Sequence, residues 1–296
     1  MLQLFIIAIY FLAIIGVGIW SRRKAGSQDG FFVANRKGTL PLITGSLLAT
    51  ALGGSSTVGM AGLGFKQGLT GAWWLLVGSI GLVILGFFFA KKVRGAALYT
   101  LPELVERQYG SRVGLAASIL IVIAWIGVVA GQIVAAGKVL SILGVASLPF
   151  WMIVFTAAFV TYAILGGQFS IIHTDLLQAT ILFAGIFVAL ALVFSQVGGL
   201  DGLKLSLPPD YFSFPISPEF DGKMLLSFLI LVGATYVVGP DIYTRLFCAK
   251  EEKTAQTSTF LSAFLFIPLA FAVTLIGMSA RVLHPEILPE QAFPQV

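Results

Sequence analysis

The stretch Ala49-Thr-Ala-Leu-Gly-Gly-Ser-Ser-Thr-Val-Gly-Met-Ala-Gly62 lies inside an uncharged run long enough to cross a lipid bilayer. Eleven of its fourteen residues are Gly, Ala, Ser or Thr. Gly and Thr are weak helix formers, and Ser and Thr hydroxyls compete for backbone hydrogen bonds. Irregular backbone at membrane depth is tolerated only where it faces protein or a cavity. The stretch therefore predicts either a helix that opens beside a polar site or a close contact between helices.

The composition is typical of a membrane protein. Hydrophobic residues make up 58% of the chain and charged residues 10%, whereas soluble domains carry about 25% charged residues. The net charge of +5 comes from short basic clusters between apolar runs. That pattern indicates loops at a membrane surface and argues against nucleic acid as a partner. Cys248 is the only cysteine and there are two histidines, so we expect no metal beyond sodium and no organic cofactor.

Eight segments are long and apolar enough, or nearly so, to cross a bilayer, which takes about 20 residues. They lie near 2–20, 40–65, 69–90, 113–140, 149–166, 175–197, 223–243 and 257–281. We expect a single transmembrane domain over 1–296. The first segment is interpreted as a retained span because its basic residues follow it instead of preceding it.

The distribution of Lys and Arg predicts the orientation. With the N-terminus outside, thirteen of these residues fall in cytoplasmic loops and five fall outside. The thirteen are Arg22, Arg23, Lys24, Arg36, Lys37, Lys91, Lys92, Arg94, Arg107, Arg112, Arg245, Lys250 and Lys253. Because cytoplasmic loops are enriched in positive charge, this bias predicts an inner-membrane, multi-pass protein with its N-terminus outside.

A second interruption is predicted near Gly239-Pro240-Asp241 in the seventh span. Proline removes a backbone donor and kinks a helix, and a carboxylate is costly in hydrocarbon. Asp241 is interpreted either as a site residue or as an interfacial residue paired with Arg245 at i+4. Two interrupted spans in one membrane chain point to the binding site of a secondary transporter.

Two capping boxes predict helix starts. Thr100-Leu-Pro-Glu103 predicts a short cytoplasmic helix, with proline inside its first turn. Asp175-Leu-Leu-Gln178 predicts the start of the sixth span.

Several blocks together resemble the sodium/solute symporter family over nearly the whole chain. The most specific runs from Tyr162 to Gln178 and is similar to the family's Gly-Gly…Thr-Asp-x-x-Gln signature. The segments Gly239–Lys250, Leu101–Gly110 and Ala49–Gly64 resemble other family motifs. The resemblance implies an all-α polytopic membrane protein with a leucine-transporter-type inverted-repeat fold. One extra N-terminal helix would precede the repeats, and the second repeat would be incomplete.

The resemblance also implies the site residues. Sodium would bind the carbonyl oxygens of Ala49 and Leu52, and Asp175 would lie on the ion path or at the inner gate. The small organic solute would contact the neighbouring positions on the two interrupted helices. Those positions are Ala51, Ser55, Ser56, Gly239 and Asp241.

Two departures from the family bear on these expectations. The first interrupted helix carries no acid, unlike the family's proline transporters, and Ala51, Ser55 and Ser56 stand where its sugar transporters place amide and acidic groups. Neither proline nor a sugar is therefore favoured as the solute. The chain also stops after the eighth predicted span, before the helix expected to supply the sodium-binding hydroxyls.

The function predicted is sodium-coupled symport of a small organic solute by alternating access. One alternative is a solute-sensing membrane module without transport, and another is a proton-coupled carrier in which Asp175 or Asp241 titrates. An enzyme is not expected, because the spans hold no paired acids, histidines or metal-ligand cluster. Beyond sodium, the solute and the lipid bilayer, no partner is predicted.

Overall fold

The computed structural model describes residues 2–22, 24–141 and 144–296, and of residues 2–4 and Ser55 it describes only the backbone. The predicted cytoplasmic residue Arg23 lies outside this description. The α-helices are, in chain order, α1 (Leu2–Ser21), α2 (Gln28–Val33), α3 (Leu40–Ala51), α4 (Gly54–Gln67), α5 (Trp73–Phe88), α6 (Ala90–Gly95), α7 (Leu101–Tyr109), α8 (Ser111–Ser141), α9 (Leu148–Val197), α10 (Gly199–Ser206), α11 (Gly222–Phe228), α12 (Ala234–Val238), α13 (Pro240–Cys248) and α14 (Glu252–Leu283). One π-helical turn spans Leu229–Gly233, and short 3₁₀ turns span Ala34–Arg36, Gly68–Ala72, Pro209–Phe212 and Pro289–Gln291.

Within the described ranges, five helical stretches are long and apolar enough to cross a membrane. They are Ser56–Phe88, Ser111–Ser141, Leu148–Val197, Gly222–Cys248 and Glu252–Leu283. Two shorter apolar helices, Phe5–Ser21 and Leu40–Ala51, accompany them. This pattern is that of a multi-pass membrane protein, and the division into eight spans stays a prediction.

The predicted start of the short helix α7 is confirmed. The hydroxyl of Thr100 accepts a hydrogen bond from the backbone N–H of Glu103 (3.3 Å), and Pro102 occupies the first turn. The Glu103 carboxylate in turn accepts from the backbone N–H of Tyr99 at 2.8 Å. The first bond satisfies a donor that a helix start leaves without an intrahelical partner, and the second fixes the residue that precedes the cap.

The predicted helix start at Asp175 is wrong. The helix α9 is interrupted earlier, at Gly167, whose backbone has φ 50° and ψ −151°. Glycine tolerates this conformation because it has no Cβ, and a Cβ here would lie 2.5 Å from the carbonyl oxygen of Phe31. Asp175 therefore lies inside a helix and is free to bond other helices with its side chain.

The chain folds as two compact units. Unit 1 comprises Met1–Thr50, Phe88–Gln178 and Pro240–Ser258. In this unit Gly45 lies against Leu176, where a Cβ would meet the leucine Cα at 2.9 Å. The backbone of Gly38 donates to the Cys248 carbonyl and accepts from the N–H of Lys250, both at 2.9 Å. These contacts hold α3 and its preceding loop against α9 and α13.

Unit 2 comprises Ala51–Phe87, Ala179–Gly239 and Thr259–Val296. Its helices also meet at glycines: a Cβ on Gly277 would lie 2.0 Å from the carbonyl oxygen of Ala61. The hydroxyl of Ser79 donates to the Ala263 carbonyl at 2.7 Å. Small residues at such contacts let helix backbones approach closely, which is how helices pack in membranes.

Candidate functional site

The first predicted interruption is confirmed. Helix α3 ends at Ala51 and α4 begins at Gly54, so Leu52 and Gly53 join two helices. Gly53 is extended, with φ −80° and ψ 168°. The local cause is the pair Gly53-Gly54, since glycine lowers helix stability by about 1 kcal/mol per residue relative to alanine.

Hydroxyl groups satisfy part of the backbone that this interruption frees. The Ser56 Oγ lies 2.7 Å from the carbonyl oxygen of Ala51 and 2.8 Å from that of Gly53, and it shares its single hydrogen between them. Thr57 adds a hydroxyl bond to Gly53 at 3.1 Å. Ala49 lies in the last turn of α3, where a helix leaves carbonyls without intrahelical partners. The interruption therefore concentrates carbonyl and hydroxyl oxygens, the ligands that hard cations prefer.

The second predicted interruption is also confirmed. Helix α12 ends at Val238, Gly239 is extended with φ −65° and ψ 130°, and α13 begins at Pro240. Proline is well placed there because the first helical residue needs no N–H donor. Asp241 occupies the first turn of α13, where the positive end of the helix dipole favours a carboxylate.

An ion pair in unit 1 joins two residues that are far apart in sequence. The Arg245 guanidinium lies 3.3 Å from the Asp175 carboxylate, and the two side chains are 14% and 9% exposed. The alternative interpretation, in which Asp241 pairs with Arg245 on the same helix, is wrong. The acid that Arg245 contacts belongs to α9 instead.

The pair is the centre of a wider polar network. Besides Asp175, Arg245 donates from Nε to the Thr50 hydroxyl at 3.2 Å and from Nη1 to the Gln168 side-chain carbonyl at 2.9 Å. The Ser46 hydroxyl donates to the same Asp175 oxygen. Three elements, α3, α9 and α13, are thus fastened to one another by buried or half-buried polar groups. We call Ser46, Thr50, Gln168, Asp175 and Arg245 the unit 1 network.

The predicted site residues are distributed as follows. Asp175 belongs to the unit 1 network, and within unit 2 Ser56 is hydrogen-bonded to Ala51. Ala49, Leu52, Gly239 and Asp241 lie at or beside the interruptions. The side chain of Ser55 lies outside the described residues. Their roles as sodium and solute ligands stay predictions.

Sequence reasoning missed most of the unit 1 network. Ser46 belongs to no motif, and Gln168 lies inside the Tyr162–Gln178 block without a predicted role. Arg245 was predicted as a cytoplasmic-loop residue or as the partner of Asp241, whereas the structure places it in α13. Thr50 lies inside the opening stretch, but its partner is 195 residues away in sequence. The one signal in the sequence was Asp175, an acid at the start of a predicted span. A carboxylate in a membrane requires a partner, so the residue indicates an ion pair without identifying the cation.

The part of the chain that the structure describes holds no group of three or more His, Cys, Asp or Glu side chains that could bind a metal ion. A sodium site built from carbonyl and hydroxyl oxygens does not need such a group.

Comparison with solved structures indicates the same fold class as the sequence does. The fold is similar to the solved structure of a Na⁺-coupled sialic acid symporter in its substrate-bound, outward-open state, with a TM-score of 0.82 and 16% sequence identity over 96% of this chain and 63% of that chain. This likeness confirms the predicted fold class, an all-helical membrane protein of the leucine-transporter type. The interrupted helices described above fit that class.

The sequence matches the sodium:solute symporter family over residues 31–292, and the chain belongs to that family. It is 28% identical to sodium/glucose cotransporter 4 of Danio rerio, over 95% of this chain and 47% of the relative. It is 27% identical to the sodium/glucose cotransporter of Vibrio parahaemolyticus, over 95% of this chain and 55% of the relative. Sodium/myo-inositol cotransporter 2 of Mus musculus is 25% identical over 95% of this chain and 46% of its own length. The chain thus spans about half the length of the curated relatives it matches.

Proposed function

We propose that this protein couples the movement of a small organic solute to that of sodium across a membrane. Family membership supports sodium coupling, and the named relatives are sodium cotransporters. The observation that carries the proposal is the interruption between α3 and α4, where the regular α-helical hydrogen bonding of a membrane helix is broken. Sodium is cargo in this scheme, and no organic cofactor is required.

In the proposed sodium site the carbonyl oxygens of Ala49 and Leu52 are ligands. Ser56 supports this site because its hydroxyl holds the carbonyls of Ala51 and Gly53 in place. Ala51, Ser55 and Ser56 would face the solute from the first interruption. Gly239 and Asp241 would face it from the second, and the extended backbone at Gly239 supports that assignment.

Alternating access is the proposed mechanism, and Asp175 is the proposed inner gate residue. The unit 1 network supports this role because it fastens α3 and α13, one half of each interrupted helix, to α9. Opening the inner side would require these bonds to break together. Binding of sodium and of solute would then favour one another, since linkage between two sites is reciprocal.

The proposed location is the inner membrane, with the N-terminus outside. Where described, the Lys and Arg residues assigned to cytoplasmic loops all belong to unit 1. Unit 1 also holds Lys138, which the same assignment puts outside, so the proposed orientation rests on the thirteen-to-five distribution of Lys and Arg between the loops.

Transport is tested in proteoliposomes with labelled solutes under a sodium gradient or a proton gradient. D-glucose, myo-inositol and sialic acid are the first solutes to try, because the relatives are named for them. The residues at Ala51, Ser55 and Ser56 argue against a sugar, so a panel of other small solutes is run beside them. Uptake driven by protons alone would replace sodium coupling with the proton-coupled alternative. Sodium-dependent binding without uptake would favour the sensing module.

A matched pair of variants tests the first interruption. Ser56→Ala removes the hydroxyl that bonds two carbonyls, and Ser118→Ala removes one that bonds Gly114 within α8 at 3.0 Å. Without this hydroxyl the joint between α3 and α4 loses about 1–3 kcal/mol of stabilisation, and a site that is less ordered must be ordered when sodium binds. We expect Ser56→Ala to weaken sodium binding about tenfold or more and Ser118→Ala to leave it unchanged. Equal sodium affinity in the two variants would remove Ser56 from the site.

A further inference from the structure

Unit 1 contains a cavity of about 390 Å³ that the proposed transport site does not use. Its polar lining is basic or neutral and comes from Lys24, Asn35, Lys37 and His173. Its apolar lining includes Leu42 and Phe169. None of the described residues that line it is acidic. Two lysines therefore line one space, with no acidic residue among the described lining residues.

Aromatic rings contact two of the residues that line this cavity, Lys24 and His173. The Lys24 ammonium lies 4.3 Å from the centre of the Trp20 ring and 5.2 Å from that of Phe169. The His173 ring stacks on Phe169, with centroids 4.6 Å apart, and its Nδ1 lies 2.7 Å from the Phe169 carbonyl. Trp20 remains 53% exposed. A half-exposed tryptophan beside a lysine is typical of the level at which lipid headgroups meet a protein.

The loop that carries Asn35 and Lys37 is held in a costly conformation. Ala34, Asn35 and Arg36 all have φ near +50°, a region that residues other than glycine rarely adopt. Such strain persists only where the surroundings fix it, and it concentrates at ligand sites. Arg36 donates to the Ala97 carbonyl at 2.7 Å, and the Asn35 amide donates to the Lys24 carbonyl at 3.2 Å.

A hydrogen bond also fixes α2, the helix that precedes this loop. The Tyr99 hydroxyl donates to the Asp29 carboxylate at 2.6 Å, and this hydrogen bond raises the pKa of the tyrosine. Asp29 belongs to α2, so α2 and the loop are both anchored to the segment that precedes α7. These hydrogen bonds fix the conformation of the loop that lines the cavity, and a fixed site lowers the cost of binding.

We propose that this cavity binds a phosphate group through Lys24 and Lys37. Ammonium groups form charge-assisted hydrogen bonds with phosphate oxygens. The phosphate can come from an anionic lipid headgroup or from a free phosphate in solution, and the two lysines of the lining suit either. Phe169 and His173 lie on the same stretch of α9 as Gln168 and Asp175, so an occupied cavity would brace the helix that carries the unit 1 network.

The test measures binding of two probes to purified, delipidated protein in detergent. The probes are dihexanoyl phosphatidylglycerol and inorganic phosphate, with dihexanoylglycerol, which carries the same acyl chains and no phosphate, as the control. Binding is read from the ligand-dependent shift of the unfolding temperature. Lys24→Gln/Lys37→Gln removes both ammonium groups. Lys91→Gln/Lys92→Gln makes the same change of charge in α6, outside the cavity lining.

Each lysine near an anionic lipid surface contributes about a fivefold change in affinity, so we expect Lys24→Gln/Lys37→Gln to bind about 30-fold more weakly. The α6 double variant should bind like the unmodified protein. Binding of phosphatidylglycerol alone supports a lipid source, and binding of inorganic phosphate supports a soluble one. The proposal is overturned if neither probe binds, if dihexanoylglycerol binds as well as phosphatidylglycerol, or if the two double variants lose affinity equally.

Discussion

Replacing Arg245 with methionine is the most direct test of the unit 1 network. Arg245→Met keeps an unbranched apolar stem but removes the guanidinium and its bonds to Asp175, Thr50 and Gln168. Of its described neighbours, Asp175 then keeps the Ser46 hydroxyl as a hydrogen-bond donor. A buried carboxylate is left without its counter-charge.

The expected size of the effect follows from the burial of the pair. Removing one partner of a buried ion pair costs about 3–5 kcal/mol. Because the Arg245 and Asp175 side chains are 14% and 9% exposed, some water reaches both, and we expect the lower end, about 3 kcal/mol. The double variant Asp175→Asn/Arg245→Met removes the stranded charge as well. It should recover about 2 kcal/mol of that loss, which would appear as a non-additive coupling in a double-mutant cycle.

Cys248 provides the assay without any engineering. It is the only cysteine of the chain, it is fully buried, and it lies three residues after Arg245 on the same helix. A maleimide reacts with it only when α13 opens locally, so the labelling rate follows the free energy of that opening. A loss of about 3 kcal/mol corresponds to labelling about 100-fold faster, since each 1.4 kcal/mol is about tenfold.

Lys250→Met is the matched control. Lys250 also pairs with an acid, Glu251, at 3.7 Å, but the two side chains are 54% and 58% exposed. Exposed pairs contribute about 0–1 kcal/mol, so labelling of this variant should change by less than about fivefold. If Arg245→Met labels no faster than Lys250→Met, or if the double variant shows only additive effects, the network does not hold α13 in place.

The remaining predictions concern the stability of the fold, measured as free energies of unfolding in detergent. Gly167→Ala should cost about 2 kcal/mol or more, because its Cβ would lie 2.5 Å from a carbonyl oxygen at a positive φ, whereas Gly144→Ala, at a positive φ in open space, should cost about 1 kcal/mol. Gly277→Ala places a Cβ 2.0 Å from a carbonyl oxygen and should lower the free energy of unfolding by about 1–3 kcal/mol. Gly185→Ala, in open space, is the control, and equal stability of the two variants would refute the close contact. Thr100→Ala should cost about 1 kcal/mol by removing the cap of α7, and an unchanged stability would show that the cap contributes nothing.

The sequence was sufficient for features that depend on neighbouring residues. Gly53-Gly54 and Gly239-Pro240 predicted two interrupted helices, and Thr100-Leu-Pro-Glu103 predicted the start of α7. In each case the backbone preferences of a few adjacent residues decide the outcome. At these points the tertiary contacts did not change the structure that the local backbone preferences favour.

The sequence was insufficient where the decision depends on distant residues. The segment Asp175–Gln178 has the form of a cap, yet α9 is interrupted at Gly167. Arg245 had a suitable acid four residues before it, yet it pairs with Asp175 on another helix. A buried charge takes the partner that the packing of helices brings to it, and one sequence does not reveal that packing.

The π-helical turn at Leu229–Gly233 has a consequence for how the seventh predicted span tolerates change. A π-turn is equivalent to one extra residue inserted into an α-helix. Deleting one residue there, such as the exposed Leu231, would restore ordinary α-helical winding and leave Ala234–Val238 facing the same way. The same deletion inside a regular helix would rotate everything beyond it by about 100°. The π-helical turn thus contains one residue more than α-helical winding needs. At this turn the span can lose a residue without a change in the orientation of Gly239.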